Sequence, residues 1–267
     1  MSVLEPPGPE LRVPIAAATV AGPSPSAIVA RALGASVRVR DAFRVYREGT
    51  IETIALRGLD LDVAPGEFVA IMGRSGSGKS TLLHLLAGDD RPTAGTVLVD
   101  GIEIGQASEA DRARVRGRVV GSVFQADNLV EFLDLAENLM LAGALADAPM
   151  SRGQAVAALG ELGLGSMAGR RPNQLSGGEQ QRAALGLILA TRPRLLLADE
   201  ITGELDSETA VVVLDALVGV RRETGMTIVL ATHDRGVAAR ADRIVEIRDG
   251  RAVGQAATRP VPGSGPE

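Results

Sequence analysis

Two kinds of hydrophobic pattern run along the chain, and the first is a strand-like alternation of apolar and polar residues between residues 35 and 61. This alternation predicts antiparallel β structure, with a turn at residues 47–50. The side chains expected to face inward are Val37, Val39, Ile54 and Leu56. We therefore expect an antiparallel β subdomain near the start of the folded region.

The second pattern consists of short, fully apolar runs, which are typical of strands buried on both faces of a parallel sheet. One run at residues 67–72 follows a Pro-Gly turn and leads through a glycine-rich loop into a helix predicted at residues 79–87. Two others, at residues 195–198 and 227–231, flank an amphipathic segment at residues 209–224. This order of strand, helix and strand predicts an α/β core with a parallel sheet.

The remaining segments complete the predicted organisation. Further short strands are expected at residues 96–99, 118–124 and 243–248. A mostly helical stretch rich in Ala and Leu predicts an inserted α-helical subdomain at about residues 126–190. The folded domain is expected to span residues 36–253, between a disordered Pro-rich tail at 1–35 and a disordered tail at 254–267.

Composition and charge argue against several classes of protein. The formal net charge is -5 and the sequence pI is about 5.3, whereas nucleic-acid binders usually carry a basic surface, so no nucleic-acid partner is expected. The absence of cysteine excludes disulfides and cysteine nucleophiles and fits a reducing cytoplasm. No apolar run reaches the roughly 18 residues of a membrane-spanning helix, and no secretory signal pattern begins the chain.

The strongest chemical motif lies between the predicted strand at 67–72 and the helix that follows it. It fits G-x-x-x-x-G-K-[ST], the pattern of a phosphate-binding P-loop, in which glycines let backbone N–H groups point at phosphate oxygens. Lys79 is expected to reach the β and γ phosphates, and Ser80 to offer a hydroxyl to Mg²⁺. A merely flexible Gly/Ser turn is the simpler alternative, and the strand-to-helix setting argues against it. The predicted nucleotide-binding residues are Gly73, Arg74, Ser75, Gly76, Ser77, Gly78, Lys79, Ser80 and Thr81.

Two carboxylates end the apolar strand at residues 195–198, at the edge where ligands bind in open α/β sheets. Asp199 is expected to hold Mg²⁺ through water, and Glu200 to polarise the attacking water in phosphoryl transfer. A strand that simply stops at a charged surface loop is the alternative. The P-loop upstream favours the catalytic interpretation.

A second helix start carries Ser176, Gly177 and Gly178, with Ser176 as the expected N-cap and exposed N–H groups after it. One chain thus offers two anion-binding helix ends. The economical explanation is that the second end binds a nucleotide held by a partner subunit. An ordinary capped helix is the alternative.

Leu-Ser-Gly-Gly-Glu-Gln at residues 175–180, placed between a P-loop and an Asp-Glu strand, resembles the ATP-binding-cassette (ABC) family over residues 35–253. The resemblance implies that ATP and Mg²⁺ are bound and ATP is hydrolysed. It implies that Gln125 is the Q-loop glutamine, which contacts Mg²⁺ and lies next to the membrane partner. It also implies that Asp206 belongs to the D-loop at the dimer interface and that His233 contacts the γ phosphate. Tyr46 takes the place of the aromatic residue that stacks on adenine, with cross-strand packing as the alternative.

Further stretches, at residues 55–73, 125–129 and 136–138, resemble the ATPases of lipoprotein-releasing and macrolide-efflux systems. That branch implies a dimer, expected to be of identical subunits, on the cytoplasmic face of the membrane. It also implies a separate four-helix permease with extracytoplasmic domains, on which closure of the dimer pulls. An importer ATPase for small solutes is the alternative within the family.

The sequence departs from the family pattern at residue 201, where Ile201 replaces the usual proline; we expect this to leave the turn freer and activity lower. Residues 184–190 and Glu131 also depart, which bears on partner choice. Two further alternatives are a soluble cassette acting on DNA or ribosomes and a non-hydrolysing regulatory cassette. A single cassette without cysteine argues against the first, and intact Lys79, Asp199, Glu200 and His233 argue against the second.

Overall fold

The computed structural model describes residues 34–123, 129–191, 193–203 and 207–258, which fold as two sheets and several helices. The strands are β1 (Val37–Glu48), β2 (Ile51–Val63), β3 (Phe68–Met72), β4 (Ala94–Val99), β5 (Ile102–Glu103), β6 (Val120–Val123), β7 (Leu195–Asp199), β8 (Thr227–Thr232), β9 (Arg243–Arg248) and β10 (Arg251–Ala257). The α-helices are α1 (Lys79–Ala87), α2 (Glu109–Arg118), α3 (Leu135–Leu145), α4 (Arg152–Glu161), α5 (Gly177–Thr191), α6 (Ser207–Thr224) and α7 (Arg235–Ala238). Two 3₁₀ turns lie at Gly165–Met167 and Pro172–Gln174.

An antiparallel sheet of four strands, in the order β2-β1-β4-β5, forms the predicted β subdomain. Val37, Val39 and Leu56 are buried as expected, but Ile54 is 39% exposed, so its predicted inward position is wrong. The reason is geometric. Ile54 pairs with Val45, which lies beyond the last β1–β4 pair at Phe43. This end of the β1–β2 hairpin therefore extends past β4.

A second sheet of six strands has the order β10-β9-β3-β8-β7-β6. The pairs β3–β8, β3–β9, β7–β8 and β6–β7 are all parallel, and β10 adds an antiparallel edge. Because β3, β7 and β8 run in one direction, the loops that leave their carboxyl ends meet at one edge of the sheet. This topology positions the candidate site, and it confirms the predicted α/β core.

The inserted helices α3, α4 and α5 have a hydrophobic cluster of their own, which includes Leu135, Leu139 and Leu159. Capping boxes fix the first turns of α3 and α4, where Asp134 and Ser151 accept hydrogen bonds from the backbone of Glu137 and Gln154. Helix α5 also contributes Ala184, Leu185 and Ile188 to the cluster under the six-stranded sheet, so it connects the helical subdomain to the α/β core. No helix within the described ranges is long and apolar enough to cross a membrane.

Asn138 is a buried polar residue that ties α3 to the loop before it. Its Nδ2 donates to the carbonyl oxygens of Val130, Leu133 and Asp134 at 3.0–3.2 Å, and its Oδ1 accepts from the Val130 N–H at 2.8 Å. Asn138→Ala should lower the free energy of unfolding by about 2–3 kcal/mol, because buried backbone groups lose their partners. Urea unfolding followed by helical circular dichroism measures this loss.

Asn173→Ala is the matched control, because Asn173 is exposed and lies in the nearby 3₁₀ turn. We expect it to change stability by less than about 0.5 kcal/mol. Equal losses in the two variants would show that the hydrogen bonds of Asn138 contribute nothing specific.

Both predicted domain boundaries need correction. Ala35 is fully buried, and its N–H and C=O bond to Arg194 and Thr227, so the predicted tail at 1–35 includes at least one residue of the core. At the other end, Gly254–Ala257 continue β10 along β9, so a disordered tail does not begin at residue 254. The tail was predicted from the Pro- and Gly-rich composition of the C-terminal residues, but backbone pairing in a hairpin tolerates small residues such as those at 254–257.

Candidate functional site

The predicted phosphate loop lies between β3 and α1, as the sequence indicated. Gly78 has a φ of 107°, and a Cβ built there would lie 2.6 Å from the Ala55 carbonyl oxygen. At Gly73 a Cβ would lie 2.4 Å from the Ile247 carbonyl oxygen and 2.5 Å from the Ser77 hydroxyl. Side chains are therefore excluded at both positions, because the loop lies directly against β2 and the β9–β10 hairpin.

Unpaired donors surround this loop. The N-cap Gly78 gives α1 no side-chain cap, and among the described residues no acceptor binds the N–H groups of Lys79, Ser80 and Thr81. The buried Ser77 hydroxyl also has no hydrogen-bond partner. A helix N-terminus with free N–H groups attracts anions, so the loop fits a phosphate group.

Lys79 is the only lysine of the chain, and its side chain is 7% exposed. Its Nζ donates to the carbonyl oxygen of Gly73 at 3.0 Å and lies 3.4 Å from that of Arg74. The amine is therefore held over the loop by weak neutral acceptors. A phosphate oxygen, which is charged, competes favourably with such acceptors for the same protons.

Glu200 lies beside this amine. Its Oε1 is 4.0 Å from Lys79 Nζ, and its Oε2 is 2.9 Å from His233 Nδ1. The backbone of Glu200 has a left-handed φ of 52°, its N–H donates to the Ala231 carbonyl at 3.0 Å, and its own carbonyl accepts from Gly203 N–H and Gln181 Nε2. The backbone of Glu200 is thus fixed by three hydrogen bonds, and its carboxylate lies between the Lys79 amine and the His233 imidazole.

The edge of the sheet explains why these three residues converge. Lys79 follows β3, Glu200 follows β7, and His233 follows β8, and these strands are parallel neighbours. Asp199, the last residue of β7, pairs with Ala231 at the same edge, and Ser80 is exposed on the first turn of α1. Among the described residues there is no cluster of three acidic, His or Cys side chains that holds a metal by itself. The oxygens of Ser80 and Asp199 suit Mg²⁺, which is often shared between protein and phosphate oxygens.

Ser176 occupies the N-cap position of α5, as the sequence predicted. Glu179 N–H donates to the Ser176 hydroxyl at 3.4 Å, and Ser176 N–H donates to Glu179 Oε2 at 2.8 Å. These Ser176 donors, first the N–H and then the hydroxyl, lower the pKa of Glu179 below its usual value. Ser176 and Gly177 are exposed, and within the described part of the chain no hydrogen bond joins them to the phosphate loop. This helix end is therefore available to another molecule.

Tyr46 lies near the end of β1 and keeps 37% of its surface exposed. Its hydroxyl donates to Asp90 Oδ2 at 3.0 Å, and the Arg44 guanidinium lies over its ring. The sequence reasoning singled out Tyr46 but missed Arg44 and Asp90. Two other predicted site residues, Gln125 and Asp206, lie outside the described residues.

Comparison with known proteins finds relatives that are described as ATP-binding proteins, in agreement with the phosphate-binding geometry of the site. The protein-family profile described as ABC transporter matches residues 56–203. The chain is 42% identical over 219 residues to the lipoprotein-releasing system ATP-binding protein LolD of Xanthomonas euvesicatoria pv. vesicatoria, a match covering 81% of this chain and 90% of LolD. It is 44% identical over 218 residues to the macrolide export ATP-binding/permease protein MacB of Syntrophobacter fumaroxidans, covering 80% of this chain and 30% of MacB.

A solved structure also matches. It is a dimeric, post-hydrolysis state of the ATP-binding cassette MJ0796 bound to ADP and Pi, with a TM-score of 0.80 and 36% sequence identity. The match covers 84% of this chain and 100% of that cassette. The likeness therefore extends from the fold to the sequence over most of the described domain.

Proposed function

This chain belongs to the ABC transporter family as an ATP-binding, ATP-hydrolysing subunit, and from that premise we propose that two copies close on ATP to drive a separate membrane permease. The observation that carries the proposal is the convergence of Lys79, Glu200 and His233 beside the unpaired N–H groups of α1. A buried amine, a fixed carboxylate and an imidazole at an anion-binding helix start are the groups that phosphoryl transfer to water requires.

Within this proposal each side chain has a distinct role. Lys79 binds the β and γ phosphates, Glu200 polarises the attacking water, and His233 contacts the γ phosphate and orients Glu200 through their 2.9 Å contact. Ser80 and Asp199 would hold Mg²⁺ together with Gln125, and the ion would supply charge neutralisation at the phosphates. The remaining loop residues, from Gly73 to Thr81, position the triphosphate through backbone N–H groups.

The second half of each ATP site is proposed to come from the other subunit. Ser176 and Gly177 are exposed at a helix start that continues into Gly178, and within the described residues this helix start forms no hydrogen bond with the phosphate loop. Asp206 is proposed to belong to the D-loop between subunits. The MJ0796 cassette is a dimer bound to ADP and Pi, which supports a dimer of this chain. The head-to-tail orientation is proposed because one chain offers two separate anion-binding helix starts, at α1 and at α5. Loss of the bridging γ phosphate on hydrolysis removes the contacts that favour closure, so the dimer reopens.

The type of transport system that this subunit serves is proposed from its relatives. LolD is named for lipoprotein release and MacB for macrolide export, and both match most of this chain. We therefore place this subunit in an export or mechanical-work system, on the cytoplasmic face of the membrane beside its permease. An importer permease is the competing partner. Pull-down of the full chain with a four-span permease that carries an outer domain supports the export or mechanical-work system. Pull-down with a six- or ten-span permease supports the importer.

A cross-linking experiment tests the head-to-tail dimer. Because the chain has no cysteine of its own, only the introduced cysteines can react. One preparation carries Ser75→Cys and another Ser176→Cys, both with Glu200→Gln to block turnover; Ser75 and Ser176 are exposed. After mixing, a short bismaleimide should join the two chains when MgATP is present, and not without it. Mass spectrometry of the linked peptides identifies the pair.

The matched control replaces Ser151, which caps α4 just as Ser176 caps α5. Ser151→Cys mixed with Ser75→Cys should give no ATP-dependent product. Equal yields of cross-linked product from the two pairs would contradict a nucleotide held between subunits. A yield of the Ser75–Ser176 product that is the same with and without MgATP would contradict it as well.

A further inference from the structure

The ring of Tyr46 belongs to a three-residue cluster with Arg44 and Asp90. Tyr46 is the only tyrosine in a chain without tryptophan, so no other large polar aromatic is available for stacking. The Arg44 guanidinium carbon lies 4.4 Å from the centre of the Tyr46 ring, within the range of a cation–π contact. One face of the ring is therefore covered by a cation, while the ring as a whole stays 37% exposed.

Asp90 joins both members of this pair. Its Oδ2 accepts from Tyr46 Oη at 3.0 Å and from Arg44 Nε at 2.7 Å, while its Oδ1 accepts from the Arg91 N–H at 2.7 Å. Burial alone raises the pKa of Asp90, but the Arg91 N–H, Arg44 and the Tyr46 hydroxyl outweigh it and lower the pKa below its usual value. The carboxylate is thus charged at neutral pH and fixes ring and guanidinium through a single oxygen.

The cluster is anchored to the helix that starts at the phosphate loop. Helix α1 begins at Lys79, and the Asp90 N–H lies 3.3 Å from the carbonyl oxygen of His84 in its last turn. Thr93 adds two bonds to β1, accepting from the Val45 N–H at 3.0 Å and donating to the Phe43 carbonyl at 2.7 Å. One short helix, about 13 Å long, therefore connects the phosphate end of the site to the ring.

We propose that Arg44 and Asp90 are positioning residues for the nucleobase: they hold Tyr46 with one face occupied, so that the base of the bound nucleotide stacks on the opposite face. This inference rests on the proposed function as an ATP-binding subunit and on the role that the family resemblance implies for Tyr46, the ring on which adenine stacks. An aromatic ring with a fixed plane loses less freedom when a base stacks on it, and that gain appears as affinity. Neither Arg44 nor Asp90 forms a described hydrogen bond with the phosphate loop, so we expect the cluster to affect binding of the nucleoside part of the ligand and not of the phosphates.

The experiment separates base from phosphate recognition. Steady-state ATPase assays on the full chain give KM and kcat for ATP and the inhibition constant of inorganic tripolyphosphate, which has no base. Arg44→Met should raise KM for ATP about three- to tenfold with kcat and the tripolyphosphate constant unchanged. Arg44→Lys, which keeps the cation, should restore part of the loss, and Asp90→Asn should raise KM in the same selective way.

Arg40→Met is the control variant, because Arg40 lies on the same strand and pairs with Asp62 at the surface. It should leave all three constants unchanged. Tyrosine emission supplies a second readout that reports on Tyr46 alone. ATP should change this emission, tripolyphosphate should not, and the ATP response should shrink in Arg44→Met. Because this readout needs only binding, it serves even for a variant with low turnover.

Three results overturn the proposal. If Arg44→Met and Asp90→Asn leave KM for ATP unchanged while Tyr46→Ala raises it, the ring binds the base without help from the cluster. If ATP and tripolyphosphate weaken by the same factor, the variants act on the phosphate loop. Tyr46→Ala with unaltered KM removes the base-binding role expected for Tyr46, and with it the inference, while the proposed ATPase function at Lys79, Glu200 and His233 stands.

Discussion

Replacing Lys79 with methionine should abolish nucleotide binding at the phosphate loop and lower ATP turnover by about a hundredfold or more. Methionine keeps the length and the apolar stem of the buried side chain but removes its charge. The carbonyl groups of Gly73 and Arg74, which accept from Lys79, belong to the loop itself and remain partly solvated. The fold should therefore persist while the loop loses the one cation that its interior offers to a phosphate. Equilibrium ATP binding and phosphate release measure the two effects.

Arginine should not rescue this variant, because a planar guanidinium does not fit a side-chain site that is 7% exposed. The chain also offers a chemical control, since Lys79 is its only lysine. An amine-reactive reagent should label Lys79 in a peptide map, and MgATP should protect it. Phosphate release by Lys79→Met at the wild-type rate, or labelling that ignores ATP, would show that this amine does not face the nucleotide.

The core of the fold follows from the sequence because its signals are local. Short apolar runs predict β3, β7 and β8, and the glycines between β3 and α1 predict the loop and the helix that follows it. The observed bounds of these elements agree with the predicted ones within a residue or two. Parallel neighbours then bring Lys79, Glu200 and His233 to one edge. The distances among these side chains are not local information, because they depend on how three loops pack.

Helix α2 shows where hydrophobic periodicity gives no signal. Its ten residues, Glu109–Arg118, contain a single buried apolar side chain, Val115, and the sequence reasoning assigned no helix there. The helix is stabilised instead by the Ser108 cap and by bridges from Glu109 to Arg112 and Arg116. The Arg44–Tyr46–Asp90 cluster was also missed because it leaves no local pattern: Asp90 lies 44 residues from Tyr46 in the chain.

The effect of Ile201 also needed the structure. The sequence suggested that replacing the usual proline leaves the turn freer, because φ is no longer fixed. The side chain of Ile201 is buried and packs in the cluster with Ala184, Leu185 and Leu214. Burial of a branched apolar side chain holds the turn after Glu200 by packing instead. The expected loss of activity at this position stays a prediction.

Glu200→Gln is expected to stop turnover while leaving ATP bound. Glutamine has nearly the same shape and can keep a hydrogen bond to His233 Nδ1, and the backbone bonds to Ala231 and Gly203 do not involve the side chain. What the amide cannot do is accept a proton from water. Loss of a general base commonly lowers a rate by about 10²–10⁴, and we expect phosphate release to fall within that range. ATP affinity should change little, and the ATP-loaded dimer should accumulate in size-exclusion chromatography.

Glu246→Gln is the matched control, because Glu246 is an exposed carboxylate on β9 that pairs with Arg248 at the surface. It should release phosphate at the wild-type rate. The two readouts of Glu200→Gln separate the possible roles of the carboxylate. A variant that loses ATP binding together with turnover assigns Glu200 to ground-state binding, through its contacts with Lys79 and His233. A variant that releases phosphate normally places the base elsewhere, because an amide cannot replace a carboxylate in removing a proton from the attacking water.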